Sequence, residues 1–182
     1  MKNKFLKSAI IPGVIGFLSP CIIQTANAEV PDTVKHSGLQ NIVDKEKIEM
    51  EIAGFSDNGD NAAYIIFLKE VNEDNDIYLP IVISNCEAMS INREMAGIEI
   101  GRPLTYQLFG NLLNEMNVIL EEIIITSVKD NIFYSRVIFK QGEKRWILDA
   151  RPSDALNLAL RMKSKVYTYR NVIDEAGQEI ED

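Results

Sequence analysis

Asp149-Ala-Arg-Pro-Ser-Asp154 sets two carboxylates, a guanidinium, a proline and a hydroxyl in one short run. Those groups match the needs of phosphodiester chemistry. A guanidinium and the free N–H groups of a helix N-terminus can hold a phosphate, and two carboxylates can hold a divalent cation that activates water. Asp149 and Asp154 are therefore candidate catalytic residues and candidate ligands for Mg²⁺ or Mn²⁺, with Arg151 as the phosphate contact. The same groups also have a purely structural use. Asp149 can pair with Arg151, Ser153 can cap the helix and Asp154 can complement its dipole, each worth about 1 kcal/mol or less when exposed.

The elements on either side fix where these groups point. Parity along the preceding strand puts Arg145, Ile147 and Asp149 on one face. Pro152 keeps the residue before it extended, so Arg151 is expected to continue onto the face of Asp149. Ser153 is then the expected N-cap, orienting the helix end. Ala155, Leu158, Ala159 and Met162 supply the buried stripe of that helix.

Two other stretches carry candidates. Glu87 ends Ser84-Asn-Cys-Glu87, which has capping-box spacing and so a structural use beside a catalytic one. Arg102-Pro103-Leu104-Thr105 repeats the later junction in miniature, an extended arginine before a helix that Thr105 would cap, and makes Arg102 a second candidate substrate contact. Cys86 reads as a small core residue, and Trp146 as core and not a stacking platform. The only histidine is His36, far upstream of these motifs. A histidine general base inside the folded domain is therefore excluded, and chemistry must rest on carboxylates, arginine and metal.

The rest of the chain supplies the scaffold. Residues 1–28 read as a secretory signal, with lysines, an apolar stretch and Ala26-Asn-Ala28 before the expected cleavage point. That implies a periplasmic or extracellular protein, free of the membrane after cleavage. Loss of Lys2, Lys4 and Lys7 leaves the mature chain more acidic than the formal −8 of the full sequence. An acidic field repels polyanions, so nucleic-acid chemistry needs a local cationic site or bound metal. Cys86 alone remains after cleavage, so no intramolecular disulfide is available.

Residues 29–44 read as a flexible leader, 45–176 as the domain and 177–182 as an acidic tail. Strand patterns at 47–55 and 62–71 flank an Asn58-Gly59 hairpin signal. A third strand follows around Ile77–Ile83, with Pro80 marking an edge. Helical spacing recurs at Ala88, Ile91, Met95 and Ile98 and again at Leu108, Leu112 and Met116. Three strands at 118–128, 132–140 and 144–150 are joined by turns too short for anything but antiparallel neighbours. A short strand at 166–169 and a helical turn at 171–176 close the domain. The fold expected is α+β, a largely antiparallel sheet with three main helices packed on it.

From about Leu79 to Glu175 the chain resembles the bifunctional nuclease domain family. The resemblance runs through "LPIVISNCEAMSINREMAG", "GRPLTYQLFGNLL", "VKDNIFYSRVIF", "LDARPSDALNLALR" and "VIDEAG". It implies an α+β domain, assembly into homodimers or larger homo-oligomers, and an ability of some members to degrade RNA and DNA. The family pattern matches at Glu87, Arg102, Pro103, Thr105, Asp149, Arg151, Pro152, Ser153 and Asp154. It departs at Tyr106-Gln107, where the family commonly has His-Asp, and in the export signal, since the usual members act inside cells or organelles. Two functions follow. One is an exported, metal-assisted nuclease acting on RNA or DNA through Asp149, Asp154, Glu87, Arg151, Arg102 and Ser153. The other is a non-catalytic periplasmic oligomerising or ligand-binding module on the same fold.

Overall fold

The computed structural model describes residues 46–57, 63–71, 76–98 and 100–179. The signal, the leader and the Asn58-Gly59 turn lie outside them. The elements are β1 (Lys47–Asp57), β2 (Ala63–Glu70), β3 (Ile77–Ser84), α1 (Asn85–Met95), α2 (Thr105–Glu115), β4 (Ile119–Lys129), β5 (Ile132–Gln141), β6 (Lys144–Ala150), α3 (Pro152–Met162), β7 (Lys165–Tyr169), α4 (Arg170–Ala176) and β8 (Gln178–Glu179). Among the described residues, no helix is long and apolar enough to cross a membrane.

The strands form one eight-stranded sheet in the order β6-β5-β4-β7-β1-β2-β3-β8. Its pairs are antiparallel except β4 with β7. The fold is thus α+β, as the strand pattern implies. The parallel pair has a topological cause. β6 is antiparallel to β5, and β5 to β4, so β6 runs in the same direction as β7, and α3 is the crossover between them. A crossover helix must lie across the strands it skips, and α3 packs on β4, β5 and β7.

This position explains the composition of α3. The helix also touches α1 and α2 on its outer side, so every residue from Pro152 to Ala159 except Asp154 is buried. A helix covered on both sides loses the polar face of a surface helix. Beneath it, Ile123, Ile124 and Ile125 are each wholly buried, so both faces of β4 are covered. α3 and α4 both pack on this strand.

Gly110 lets α2 approach α3, since a Cβ there would lie 2.9 Å from Arg161 Cγ and 3.2 Å from Met162 Sδ. β8 falls within the stretch read as an acidic tail; among the described residues it pairs with Ile77 and Tyr78 and does not reach Pro80 of β3.

Candidate functional site

The site lies where the first turns of α1, α2 and α3 meet. α3 begins two residues earlier than the hydroxyl pattern implies. Arg151 is the N-cap, with φ −67° and ψ 145°, and Pro152 is the first helical residue. Proline suits that position because its missing N–H would have no helical partner and its fixed φ is already correct. Ser153 is therefore not the cap. It is 7% exposed, within the first turn, and its carbonyl accepts a hydrogen bond from Asn157 Nδ2 at 2.9 Å.

Arg151 also departs from the expected face. The ladder between β5 and β6 ends at Ala150, so strand parity no longer governs the next residue. The guanidinium turns away from Asp149 and onto Asp154, with Nε donating to Oδ2 at 2.8 Å and Nη2 to Oδ1 at 3.0 Å. Nη2 also donates to Glu87 Oε1 at 3.2 Å. Asp149 stays on β6, exposed, with no hydrogen bond or ion pair among the described residues.

Tyr106, which sequence reasoning singled out only as a departure from the family pattern, completes the cluster. Its hydroxyl donates to Asp154 Oδ1 at 2.6 Å. The following residue also has a local use. Gln107 Oε1 accepts the N–H of Leu104 at 3.1 Å, and Leu104, not Thr105, is the N-cap of α2. Spacing within α2 shows that Tyr106 can share a face with Gly110 and Leu113, but the carboxylate it meets is decided by the packing of α2 on α3.

Glu87 is placed by α1. Ser84 is the N-cap there, yet its side chain makes no capping bond, and Glu87 reaches across to Arg151 in place of closing a capping box. One carboxylate oxygen, Oε1, meets the guanidinium; the other, Oε2, is buried without a partner. Arg102 stands exposed before α2 and makes no ion pair or hydrogen bond among the described residues. Cys86, expected in the core, is exposed. Trp146 is 38% exposed, because β6 is an edge strand whose face is only partly covered.

The electrostatics follow from these contacts. Burial on its own would raise Asp154, but hydrogen bonds from Arg151 and Tyr106, with the Arg151 charge, outweigh it and hold the carboxyl below its ordinary value. The hydrogen bond to Asp154 and the adjacent negative charge push Arg151 up. Burial, then the bond to Asp154, pushes the Tyr106 hydroxyl well above its usual range. Tyr106 is accordingly a proton donor in a hydrogen bond and not a nucleophile at neutral pH.

Space adjoins the cluster on two sides. A cleft of about 420 Å³ is lined by Glu87, Arg151, Pro152 and Ser153 against Ile83 and Phe133. A second, of about 270 Å³, lies between α1 and the start of α2 and shares Glu87. Arg151 borders the first with its side chain 68% exposed. Its Nε and Nη2 are engaged, while Nη1 has no protein partner among the described residues. The carboxylates therefore fix the plane of the guanidinium and leave one edge available. Asp149 and Asp154 are not a preformed cation pair, because both Asp154 oxygens already accept hydrogen bonds. Among the described residues there is no group of three or more His, Cys, Asp or Glu that could hold a metal ion.

Comparison with known proteins agrees with this architecture. An uncharacterized protein of Mycobacterium tuberculosis is 36% identical over 118 residues, which cover 65% of this chain and 69% of that protein. Bifunctional nuclease 1 of Oryza sativa subsp. indica is 26% identical over 124 residues, and Bifunctional nuclease 2 of Arabidopsis thaliana 23%. In both cases the match covers 66% of this chain but only 38% of the plant protein. The profile of the bifunctional nuclease domain matches residues 66–181, a span that contains Glu87, Tyr106, Asp149, Arg151 and Asp154. The chain belongs to the bifunctional nuclease domain family.

Proposed function

We propose that this protein is an exported nuclease that hydrolyses phosphodiester bonds of RNA or DNA, with a divalent cation assisting. The observation that carries the reading is the free Nη1 edge of Arg151, held in a fixed plane by Asp154 and Glu87 at the wall of an open cleft. A guanidinium fixed in this way can meet a phosphate without first losing rotamer freedom. The N–H groups of Ser153 and Asp154, in the first turn of α3, have no helical acceptor and add donors at the same end.

Two carboxylates share one guanidinium here, so the cluster remains net negative within an acidic chain. A polyanion then needs further positive charge to approach. Mg²⁺ or Mn²⁺ is proposed for that reason, and the buried, unpartnered Oε2 of Glu87 is an atom that a cation would satisfy. Glu87 with Asp154 would hold it, with substrate oxygens completing the shell. When bound, the ion would neutralise phosphate charge and lower the pKa of a bound water. Asp149 lies outside this cleft: Phe133 lines it, and the β5–β6 register puts Leu148 and Ala150 on the same face and Asp149 on the opposite one, so the role expected of Asp149 in catalysis and metal binding is not part of this reading. Tyr106 positions Asp154 and, through it, Arg151.

The test is hydrolysis of single-stranded RNA and DNA by the secreted form, with Mg²⁺ or Mn²⁺ and with chelator. Arg151→Ala should lower kcat/KM by about a hundredfold, in line with loss of a transition-state contact. Full activity in Arg151→Ala would overturn the site, and activity that persists in chelator would remove the metal.

A second reading, the non-catalytic oligomerising module, has its own support. Leu108, Phe109 and Leu112 of α2 and Met116 at its C-cap stay exposed, and Phe109 packs edge-on against Phe139 with ring centroids 6.4 Å apart. Phe139 pairs with Trp146 and Val137 with Leu148, so the exposed Trp146 and Leu148 lie on the same sheet face. Together they form a run of exposed apolar side chains of the kind that marks an interaction surface. α2 carries a single charged residue, Glu115, so like-charged copies can meet there without repulsion. We propose a second copy of this chain as the occupant.

A further inference from the structure

We infer that the second cleft is a phosphate subsite, which takes a neighbouring phosphate of the strand across Glu87 from the phosphate held by Arg151. This rests on the nuclease reading and adds a second phosphate contact to it. The cleft of about 270 Å³ is walled by Ser90 and Arg93 of α1 and by Leu104, Thr105 and Tyr106 at the start of α2. Arg93 is half-buried, and its side chain has no ion pair or hydrogen bond among the described residues. Its neighbour Glu94 is turned to Arg161, at 3.8 Å, so the nearest acid in sequence leaves Arg93 uncompensated. A partly desolvated guanidinium without a counter-charge favours an anion beside it.

The other polar groups of the cleft suit the same ligand. The hydroxyls of Ser90 and Thr105 have no hydrogen-bond partner among the described residues. Thr105 and Tyr106 are the first two residues of α2, whose N–H groups have no helical acceptor. The only acid in the lining is Glu87, and its charge is shared with Arg151. Glu87 is thus a common wall with an arginine in the cleft on each side, Arg151 in one and Arg93 in the other. Two cationic receptors separated by a single side chain match a ligand with repeating phosphates better than an isolated phosphate ester.

The experiment has an activity arm and a binding arm. In the activity arm, Arg93→Gln should raise KM for a single-stranded oligonucleotide about tenfold more than for a dinucleotide, with Arg93→Lys recovering part of the loss. The slope of log KM against log salt should fall by about 0.7 for the oligonucleotide, the loss of one phosphate contact on a single strand. Thermal melting of both variants checks that they fold. In the binding arm, inorganic phosphate is titrated into the wild-type protein while the Arg93 Nε–Hε signal is followed by NMR. The signal should move, and a substitution at Arg151 should leave that movement intact. Cleavage by the wild type with an unchanged oligonucleotide KM in Arg93→Gln would overturn the subsite and leave the Arg151 site standing. Absence of cleavage on either substrate would instead remove the nuclease reading and the neighbouring-phosphate assignment with it. An unmoved Arg93 signal would overturn the anion site itself.

Discussion

The hydrogen bond from Tyr106 to Asp154 gives the sharpest test of the site's architecture, because it joins two helices that are distant in sequence. A double-mutant cycle of Tyr106→Phe and Asp154→Ala isolates it. The donor and acceptor are 2.6 Å apart and part-buried, with the Asp154 side chain 30% exposed. A hydrogen bond to a charged group contributes about 1.5–3 kcal/mol, and partial solvent access trims this one to about 1–2 kcal/mol. Asp154→Ala loses more than that bond. It also loses the Arg151 pair, worth at most about 1 kcal/mol because Arg151 is mostly solvated, and a helix-dipole contribution of about 0.5 kcal/mol. The single changes should therefore cost roughly 1–2 kcal/mol for Tyr106→Phe and 2–3 kcal/mol for Asp154→Ala, with a coupling of about 1–2 kcal/mol. Urea unfolding near pH 7 measures all four corners. The pH dependence has a definite sign. The Asp154 carboxyl is held below its unfolded value, so its contribution is complete above about pH 4 and is lost as the pH falls through the folded value. Coupling below about 0.5 kcal/mol at neutral pH, or undiminished near pH 2, would refute the assignment.

Three further outcomes follow from the same contacts. Gly110→Val should destabilise the fold by about 1–3 kcal/mol and lower Tm by several degrees, because its Cβ would press on Arg161 and Met162; an unchanged melt would show that α2 and α3 are not in close contact there. Leu108→Glu combined with Leu112→Glu should lower the sedimentation coefficient to that of a monomer if a second copy covers α2, and a wild type that is already monomeric would remove that interface. Glu87→Gln keeps the shape but not the charge that helps hold Arg151, so kcat should drop about tenfold with Tm nearly unchanged, whereas a large loss of stability with normal kcat would make Glu87 a purely structural residue.

Local pattern was enough for most of the scaffold. Period-two and helical spacing located β4, β5, β6 and α3, and the short turns after Val128 and Lys140 required antiparallel neighbours. These features depend on residues close in sequence, where sterics and side-chain parity leave few choices. The parallel pairing of β4 with β7 and the short β8 depend on where the chain returns after a crossover, and no local period encodes that. Neither was anticipated.

The site divides in the same way. Asp149-Ala-Arg-Pro-Ser-Asp154, Glu87 and the Arg102-Pro103 junction were visible as chemistry-bearing groups because residue type and spacing alone mark them. Their pairing was not. Strand parity assigned Arg151 to Asp149, and helix grammar assigned Glu87 to Ser84, yet Arg151 turned to Asp154 in the first turn of its own helix and Glu87 crossed from α1 to meet it. Tyr106 acquired its role only when Gly110 let α2 close on α3. Sequence by itself determined which charges and hydroxyls stand at the ends of which elements. Tertiary structure decided which of them meet, because a side-chain pair forms where two backbones are brought within hydrogen-bond reach, and that distance is set by packing of the whole sheet and its helices.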